Sequence, residues 1–255
     1  MSVVDYIVHG VTQLRDIIYI VCDRSSTIFR FNSTTHQRLT GIIIKGLSHP
    51  WDIVACQQTY QMYVSDSLDC IWRVSADGEN IKRWLTKSPS DSFKPSKLSV
   101  TSTRLLMTSY WTHQLRQFDA DGNELRRVQL PDYIEPHHAV ESPAGTFIIS
   151  QYNVQLKQNQ LIEVNIAREQ LHQFSRPLGY ISHIAVDCRG NILVADHDNG
   201  RILLLDNRLS LRRVIIDEHQ LNYEPQRLCY MEQSGQLLVG LYYSRQVAVF
   251  DVLRR

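Results

Sequence analysis

The 255-residue sequence predicts an all-β fold, a six-bladed β-propeller whose blades are four-stranded sheets. One observation is a repeat: apolar, strand-like runs end near residues 23, 66, 110, 151, 196 and 240, which lie 41 to 45 residues apart. A second is that short strand patterns with alternating apolar and polar residues recur in the same order inside each repeat. A third is that no segment shows the period of an amphipathic helix.

The elements of one repeat follow from its local signals. A polar turn leads into an apolar second strand, and a polar loop leads into the third. Asp77-Gly78 and Asp121-Gly122 then predict hairpin turns, because aspartate and glycine tolerate a positive φ. A more polar fourth strand closes most repeats. The first strand often follows a proline, as at Pro50, Pro95, Pro136 and Pro225.

These patterns predict a single domain, because one blade cannot bury its apolar faces alone. The sixth repeat ends after its third strand. Ser2–Tyr6 is therefore expected to supply the missing strand, which closes the ring and removes an open sheet edge. The predicted blades are approximately residues 7–47, 48–92, 93–134, 135–179, 180–223, and 224–255 together with 2–6.

Composition narrows the classes of function. Lys and Arg number 27 against 26 Asp and Glu, so the net charge of +1 gives no global sign of a nucleic-acid partner. No apolar run approaches the roughly 20 residues of a membrane helix, and no signal-peptide pattern is present. We therefore expect a cytoplasmic monomer, or part of a longer chain, without a membrane partner. The five cysteines lack CxxC spacing and are expected to be thiols rather than disulfides: Cys22, Cys56, Cys70, Cys188 and Cys229.

One repeat carries a family resemblance. Ser182–Ile202 contains the stretches HIAVD, RGN, LVAD and NGRI, and it resembles an NHL repeat. His183 stands where that family has glycine, and Gly200 stands where it has histidine. The resemblance implies a six-bladed propeller of NHL type. It also implies that Asp196 accepts hydrogen bonds from its own loop and pairs with Arg201.

The principal functional prediction is a polar ring at the channel mouth, where loops of all blades converge. Aligned without gaps, the repeats place an ionisable residue at the same point of every blade. This favours a propeller that binds a ligand or a protein at its mouth. The ring residues are His9, Asp52, Lys97, His138, His183 and Arg227.

A second predicted ring lies where the second strands end. Asp23, Asp66 and Asp196 are expected there as loop caps. Aromatic residues beside them either form a rim for a planar or apolar ligand or pack between blades. They are Tyr110, Trp111, Tyr152, His197, Tyr242 and Tyr243.

Two alternatives remain open at this stage. His9, His138 and His183 could hold zinc or iron, with Asp52 nearby, as in the related propellers of peptidyl-hydroxyglycine lyases. The chain would then be a metal-assisted lyase or hydrolase, although it has no GxSxG, HExxH or P-loop motif. Only one of the neighbours His137 and His138 is expected to point into the channel, because neighbours on a strand face opposite sides.

The other alternative is binding of single-stranded RNA, which some NHL propellers perform on a basic face. Basic pairs recur on the predicted outermost strands, so a solvated outer edge is the favoured interpretation. The pairs are Lys82-Arg83, Arg126-Arg127 and Arg212-Arg213.

Ring closure leads to a first test. Deleting Met1–Tyr6 should markedly lower the melting temperature, because it removes the strand expected to complete the sixth blade. Thermal unfolding followed by circular dichroism measures the change. Identical melting of the full and shortened chains would contradict this closure.

Overall fold

A computed structural model describes residues 7–67, 70–86 and 92–252, and this part of the chain contains strands but no helix. Its 23 strands form six antiparallel sheets. They confirm the all-β, six-bladed propeller. In the same residues no helix is long and apolar enough to cross a membrane. None of the five cysteines forms a disulfide.

The first three blades are four-stranded, with the strands in chain order across each sheet. Blade 1 contains β1 (Val8–Leu14), β2 (Ile17–Cys22), β3 (Thr27–Asn32) and β4 (Arg38–Ile43). Blade 2 contains β5 (Pro50–Cys56), β6 (Gln61–Asp66), β7 (Cys70–Ser75) and β8 (Ile81–Thr86). Blade 3 contains β9 (Lys97–Thr101), β10 (Arg104–Ser109), β11 (Gln114–Phe118) and β12 (Glu124–Gln129).

The last three blades follow the same plan. Blade 4 contains β13 (Ile134–Glu141), β14 (Phe147–Asn153), β15 (Gln158–Val164) and β16 (Gln170–Gln173). Blade 5 contains β17 (Ile181–Val186), β18 (Ile192–Asp196), β19 (Arg201–Leu205) and β20 (Leu211–Ile216). Blade 6 has three strands within the described residues: β21 (Pro225–Met231), β22 (Gln236–Leu241) and β23 (Val247–Asp251).

The ring closes by contact between blades 6 and 1. The backbone N–H of Val8 donates to the carbonyl of Ser244 at 3.1 Å. Val8 and Val11 also lie in one buried cluster with Leu238 of blade 6. The predicted closing strand, Ser2–Tyr6, lies outside the described residues.

The core consists of six apolar clusters, one between each pair of neighbouring blades. Strand alternation explains how one sheet serves two clusters. In β22, Leu238 packs toward blade 1, whereas Leu237 and Val239 pack toward blade 5. Burying such a side chain contributes about 1.5–3 kcal/mol, so every blade is stabilised by both of its neighbours.

The innermost strands carry a recurrent β-bulge near the channel mouth. Their register shifts once in β1, β5, β13, β17 and β21, which inserts one extra residue on the first strand. A bulge interrupts the two-residue alternation and re-aims the side chains on either side of it. The inserted residues are His9, Trp51, His137, Ser182 and Gln226.

Gly10, directly after the bulge of β1, allows blades 1 and 2 to approach. A Cβ atom there would lie 2.8 Å from the backbone nitrogen of Ile53. Gly10→Ala should therefore lower the free energy of unfolding by about 1–3 kcal/mol, through overpacking. Urea unfolding measures it, and Ser26→Ala, at an exposed loop position of the same blade, should stay within about 0.5 kcal/mol. Equal stability of the two variants would show that this approach is not tight.

Candidate functional site

The bulges define a ring of equivalent positions around the channel. In blades 1, 2, 5 and 6 the residue after the bulge pairs with the penultimate residue of the second strand, as Asp52 pairs with Ser65 and His183 with Ala195. In blade 3, Lys97 pairs with Thr108 in the same way. In blade 4, whose second strand extends further, His138 pairs with Ser150. We call these positions the channel ring, and they are Gly10, Asp52, Lys97, His138, His183 and Arg227.

Blade 1 differs from the predicted ring by one residue. Gly10 occupies its ring position, and His9 occupies the bulge. The turn joining β1 to β2 is two residues shorter than that joining β5 to β6, so a gapless alignment misplaces both strands by one residue. The predicted equivalence of Asp23 and Asp66 is wrong for the same reason. The residue of blade 1 that is equivalent to Asp66 is Cys22.

A buried ion pair spans the ring. Arg227 Nε lies 3.5 Å from Asp52 Oδ1, and the two side chains are 3% and 1% exposed. Arg227 of blade 6 reaches blade 2 past Gly10 of blade 1, which has no side chain at this level. Its Nη2 also donates to the carbonyl of Trp51 at 3.1 Å.

Asp52 is held by backbone groups as well. Its carboxylate accepts the N–H of Ile53 at 3.0 Å and that of Leu98 at 3.1 Å. Burial raises the pKa of Asp52, although the charge of Arg227 opposes this. Burial likewise lowers the pKa of Arg227 against the effect of Asp52. The pair ties together backbone from blades 2, 3 and 6.

His138 and His183 stack in the same layer, with ring centroids 4.1 Å apart and planes 19° apart. The N–H of Ile184 donates to His138 Nδ1 at 3.1 Å, and His138 Nε2 lies 3.1 Å from the carbonyl of Leu98. These contacts require a neutral imidazole protonated at Nε2. Burial lowers the pKa of both rings, and nearby His138 lowers that of His183 further.

The donor atoms of Asp52, His138 and His183 lie within 4.8 Å of one another, all buried. His9 is not brought to this cluster: its Nδ1 lies 2.9 Å from the carbonyl of Pro50, and its ring stacks on Trp51. Two stacked imidazoles direct their in-plane lone pairs side by side rather than toward one point. Both nitrogens of His138 are also engaged by backbone. The arrangement does not favour the tris-histidine alternative.

A cavity of ≈ 660 Å³ opens at the mouth above the ring. Of the predicted site residues, His9, Lys97, Tyr110, Trp111, Tyr152 and Arg227 line it. His138 and His183 line a separate chamber of ≈ 180 Å³ on the other side. Residues that the sequence did not single out also line the mouth cavity: Trp51, Lys94, Glu135, His137, Tyr180 and Gln226.

The structure corrects the predicted place of His138 at the mouth. The bulge between Pro136 and His138 breaks strand alternation, so His137 lines the mouth cavity while His138 lines the lower chamber. Trp51 and Gln226 are inserted residues of the same kind. The signal that could have found them is their position immediately before each ring residue.

A chain of ring contacts, here called the aromatic belt, runs over blades 3 to 6, and its first four members line the cavity. His137 is central: Tyr180 meets it edge-on at 4.6 Å and Tyr110 lies parallel to it at 6.3 Å. His197 and Tyr242 continue the contacts at 4.9 Å beyond Tyr180. The members are Trp111, Tyr110, His137, Tyr180, His197, Tyr242 and Tyr243.

Two aspartates of the second ring are loop caps, as predicted. Asp66 accepts the backbone N–H groups of Ser48 at 3.2 Å and His49 at 3.1 Å. Asp196 accepts the N–H of Gly179 at 2.8 Å and pairs with Arg201 Nε at 2.7 Å. This pair is the one that the NHL resemblance implied.

Asp23 makes no loop-capping hydrogen bond among the described contacts. It is half-buried at the surface, and its carboxylate lies 3.7 Å from Arg24 Nε. The correct equivalent, Cys22, is buried and packs in the cluster between blades 6 and 1.

The basic pairs lie on outer strands, away from the mouth. On β12, Arg127 pairs with Glu124 at 2.7 Å and Arg126 lies 3.7 Å from Glu141. On β20, Arg213 donates to the carbonyl of Val252. These contacts agree with a paired outer edge rather than a basic RNA-binding face.

Comparison with known proteins finds no matching family model and no matching curated protein. Solved structures do match. The fold is that of a six-bladed β-propeller. Virginiamycin B lyase from Staphylococcus aureus matches with a TM-score of 0.69 at 10% identity. The match covers 100% of this chain and 88% of the lyase chain. Hydrazine synthase from Kuenenia stuttgartiensis has 0.67 at 14%, covering 95% and 83%.

A nidogen/laminin complex also matches, with a TM-score of 0.66 at 14% identity over 84% of this chain and 82% of that one. At 10–14% identity these likenesses establish the fold alone. The NHL assignment of Ser182–Ile202 therefore remains a prediction from its residues.

The buried imidazoles predict a loss of stability in acid. Burial lowers the pKa of His137 from 6.5 to about 4. In the unfolded chain this imidazole binds a proton below pH 6.5, whereas in the folded chain it stays neutral until about pH 4. The free energy of unfolding is therefore highest above pH 6.5 and falls as the pH drops toward 4. Between pH 6.5 and about 5 the loss from His137 is roughly 2 kcal/mol.

Urea unfolding at these two pH values measures the loss. His137→Phe should reduce it by that amount, whereas His219→Phe, at an exposed position, should leave it unchanged. An undiminished acid loss in His137→Phe would contradict the assignment.

Proposed function

We propose that this protein is a binding propeller of NHL type that recognises a ligand or a protein partner at its mouth face. The observation that carries the proposal is the ≈ 660 Å³ mouth cavity, which is lined by four members of the aromatic belt and by Lys97 and Arg227 of the channel ring. Aromatic rings and a few fixed polar groups around a concave site are typical of recognition surfaces.

The apolar surface of the molecule is unevenly distributed. Among the described residues, seven large exposed apolar side chains lie at the mouth face and two, Tyr60 and Ile166, on the opposite face. Four more lie on the outermost strands: Ile43, Leu125, Leu171 and Val214. Exposed apolar patches of this kind mark interaction surfaces. Those at the mouth face are Trp51, Trp111, Tyr133, Val154, Leu156, Tyr223 and Tyr243.

The buried residues of the channel ring favour binding from the mouth side of the channel. Asp52, His138 and Arg227 are buried and bonded to backbone, and Arg227 lines the mouth cavity whereas His138 lines the lower chamber. A bound group therefore meets a fixed polar floor, and it enters and leaves through the mouth. We also propose a cytoplasmic location, which five cysteines without a disulfide support.

Neutral indole tests recognition at the mouth, because its flat ring matches the aromatic wall. Saturation-transfer NMR should detect weak binding, and Trp111→Ala should weaken it severalfold by removing a cavity wall that is 68% exposed. Tyr60→Ala, on the opposite face, is the matched control and should have no effect. Indole binding that responds to Tyr60→Ala but not to Trp111→Ala would refute the proposed site.

A further inference from the structure

We propose that the mouth cavity contains an anion subsite in which Lys94 and Lys97 hold a carboxylate, beside a wall that receives a flat ring. The inference deepens the proposed function and rests on it. It assigns the ligand a chemical class: an aromatic or similarly flat group that carries a carboxylate.

Both lysines belong to one anchored segment of blade 3. Ser96 lies between them, and its N–H and hydroxyl both donate to the carbonyl of Thr108, at 3.0 and 3.1 Å. The N–H of Lys94 points to the hydroxyl of Ser109 at 3.4 Å. The backbone that carries the two side chains is thus fixed by β10, and both side chains line the same cavity.

Lys94 and Lys97 are charged residues of the cavity that have no counter-ion among the described residues. Within the described part of the chain, no carboxylate lies within 4.0 Å of Lys94 or Lys97, and neither ammonium makes a hydrogen bond. Arg227, in contrast, pairs with Asp52. Lysines that face a partly enclosed cavity without a counter-ion favour an anionic ligand group.

Among the described residues, two acidic side chains line the cavity, Asp66 and Glu135. Asp66 accepts hydrogen bonds from its own loop, including one from the hydroxyl of Ser48. Burial raises the pKa of Tyr110, and the nearby carboxylate of Glu135 raises it further. Neither carboxylate is therefore placed to neutralise the lysines.

A flat ring can lie next to the same lysines. Tyr110 and Trp111 directly follow β10, the strand that anchors the lysine segment, and both line the cavity. Their rings meet edge to face at 5.2 Å, and Trp111 is 68% exposed. His137 beyond them is neutral at pH 7, since burial lowers its pKa to about 4, so it offers a ring and not a charge.

This chemistry has two sources: a free aromatic acid, or an acidic side chain next to an aromatic one in the loop of a partner protein. Indole-3-acetate represents the free acid, with neutral indole and cationic tryptamine as controls that share its ring. A blocked peptide, glycine–tryptophan–aspartate–glycine, represents the loop, with asparagine in place of aspartate as its control.

Titration calorimetry and NMR on the intact chain at low salt compare these probes. Indole-3-acetate should bind at least about fivefold more tightly than tryptamine, since a charge-assisted pair is worth more than a neutral contact. Added salt should reduce the preference. Lys94→Met with Lys97→Met should abolish it, while Lys82→Met on outer strand β8 should preserve it. If the aspartate peptide is preferred over its asparagine control more strongly than indole-3-acetate is preferred over tryptamine, the source is a loop of a partner protein. If indole-3-acetate shows the stronger preference, the source is a small acid.

Equal binding of indole-3-acetate and tryptamine, or an unchanged preference in the double lysine variant, would overturn the anion subsite. If neutral indole still bound and still responded to Trp111→Ala, the proposed function would stand without it. Failure of every probe to bind would count against both proposals.

Discussion

Burial of two apolar faces per blade is the interaction on which the rest of this structure depends. Each sheet directs alternate side chains to opposite sides, as Leu237 and Leu238 do in β22, and neither side can be left in water. The ring must therefore close, and Val8 and Val11 complete it against blade 6. The six inter-blade clusters make a rigid frame, and the positions of the mouth loops are set by the strands that they connect.

The bulges convert this frame into a site with two layers. One extra residue near the start of an innermost strand aims one side chain at the mouth and the next into the channel, as with His137 and His138. The lower layer is a buried, hydrogen-bonded floor. A buried ion pair such as Asp52–Arg227 contributes less to net stability than its geometry suggests, because both charges are desolvated, but it specifies one arrangement of blades 2 and 6.

The upper layer has the opposite character. Its rings touch one another yet remain partly exposed, and its lysines have no counter-ion among the described residues. Asp52, His138 and Arg227 are buried and bonded to backbone, whereas Lys97 of the channel ring lines the mouth cavity together with Lys94. This contrast is the reason to assign recognition to the mouth and structure to the channel. The stacked pair His138–His183 belongs to the floor, since backbone groups engage both nitrogens of His138.

The sequence by itself determined the fold, because a period of about 43 residues and two-residue alternation follow directly from strand geometry. It also identified five of the six channel-ring positions and the Asp196–Arg201 pair. Only the tertiary structure decided that Gly10 and not His9 completes the ring, because turn length and bulges shift the register without a clear sequence signal. It alone decided the aromatic belt as well, since Trp111 and Tyr243 lie far apart in the chain and become parts of one surface when the ring closes.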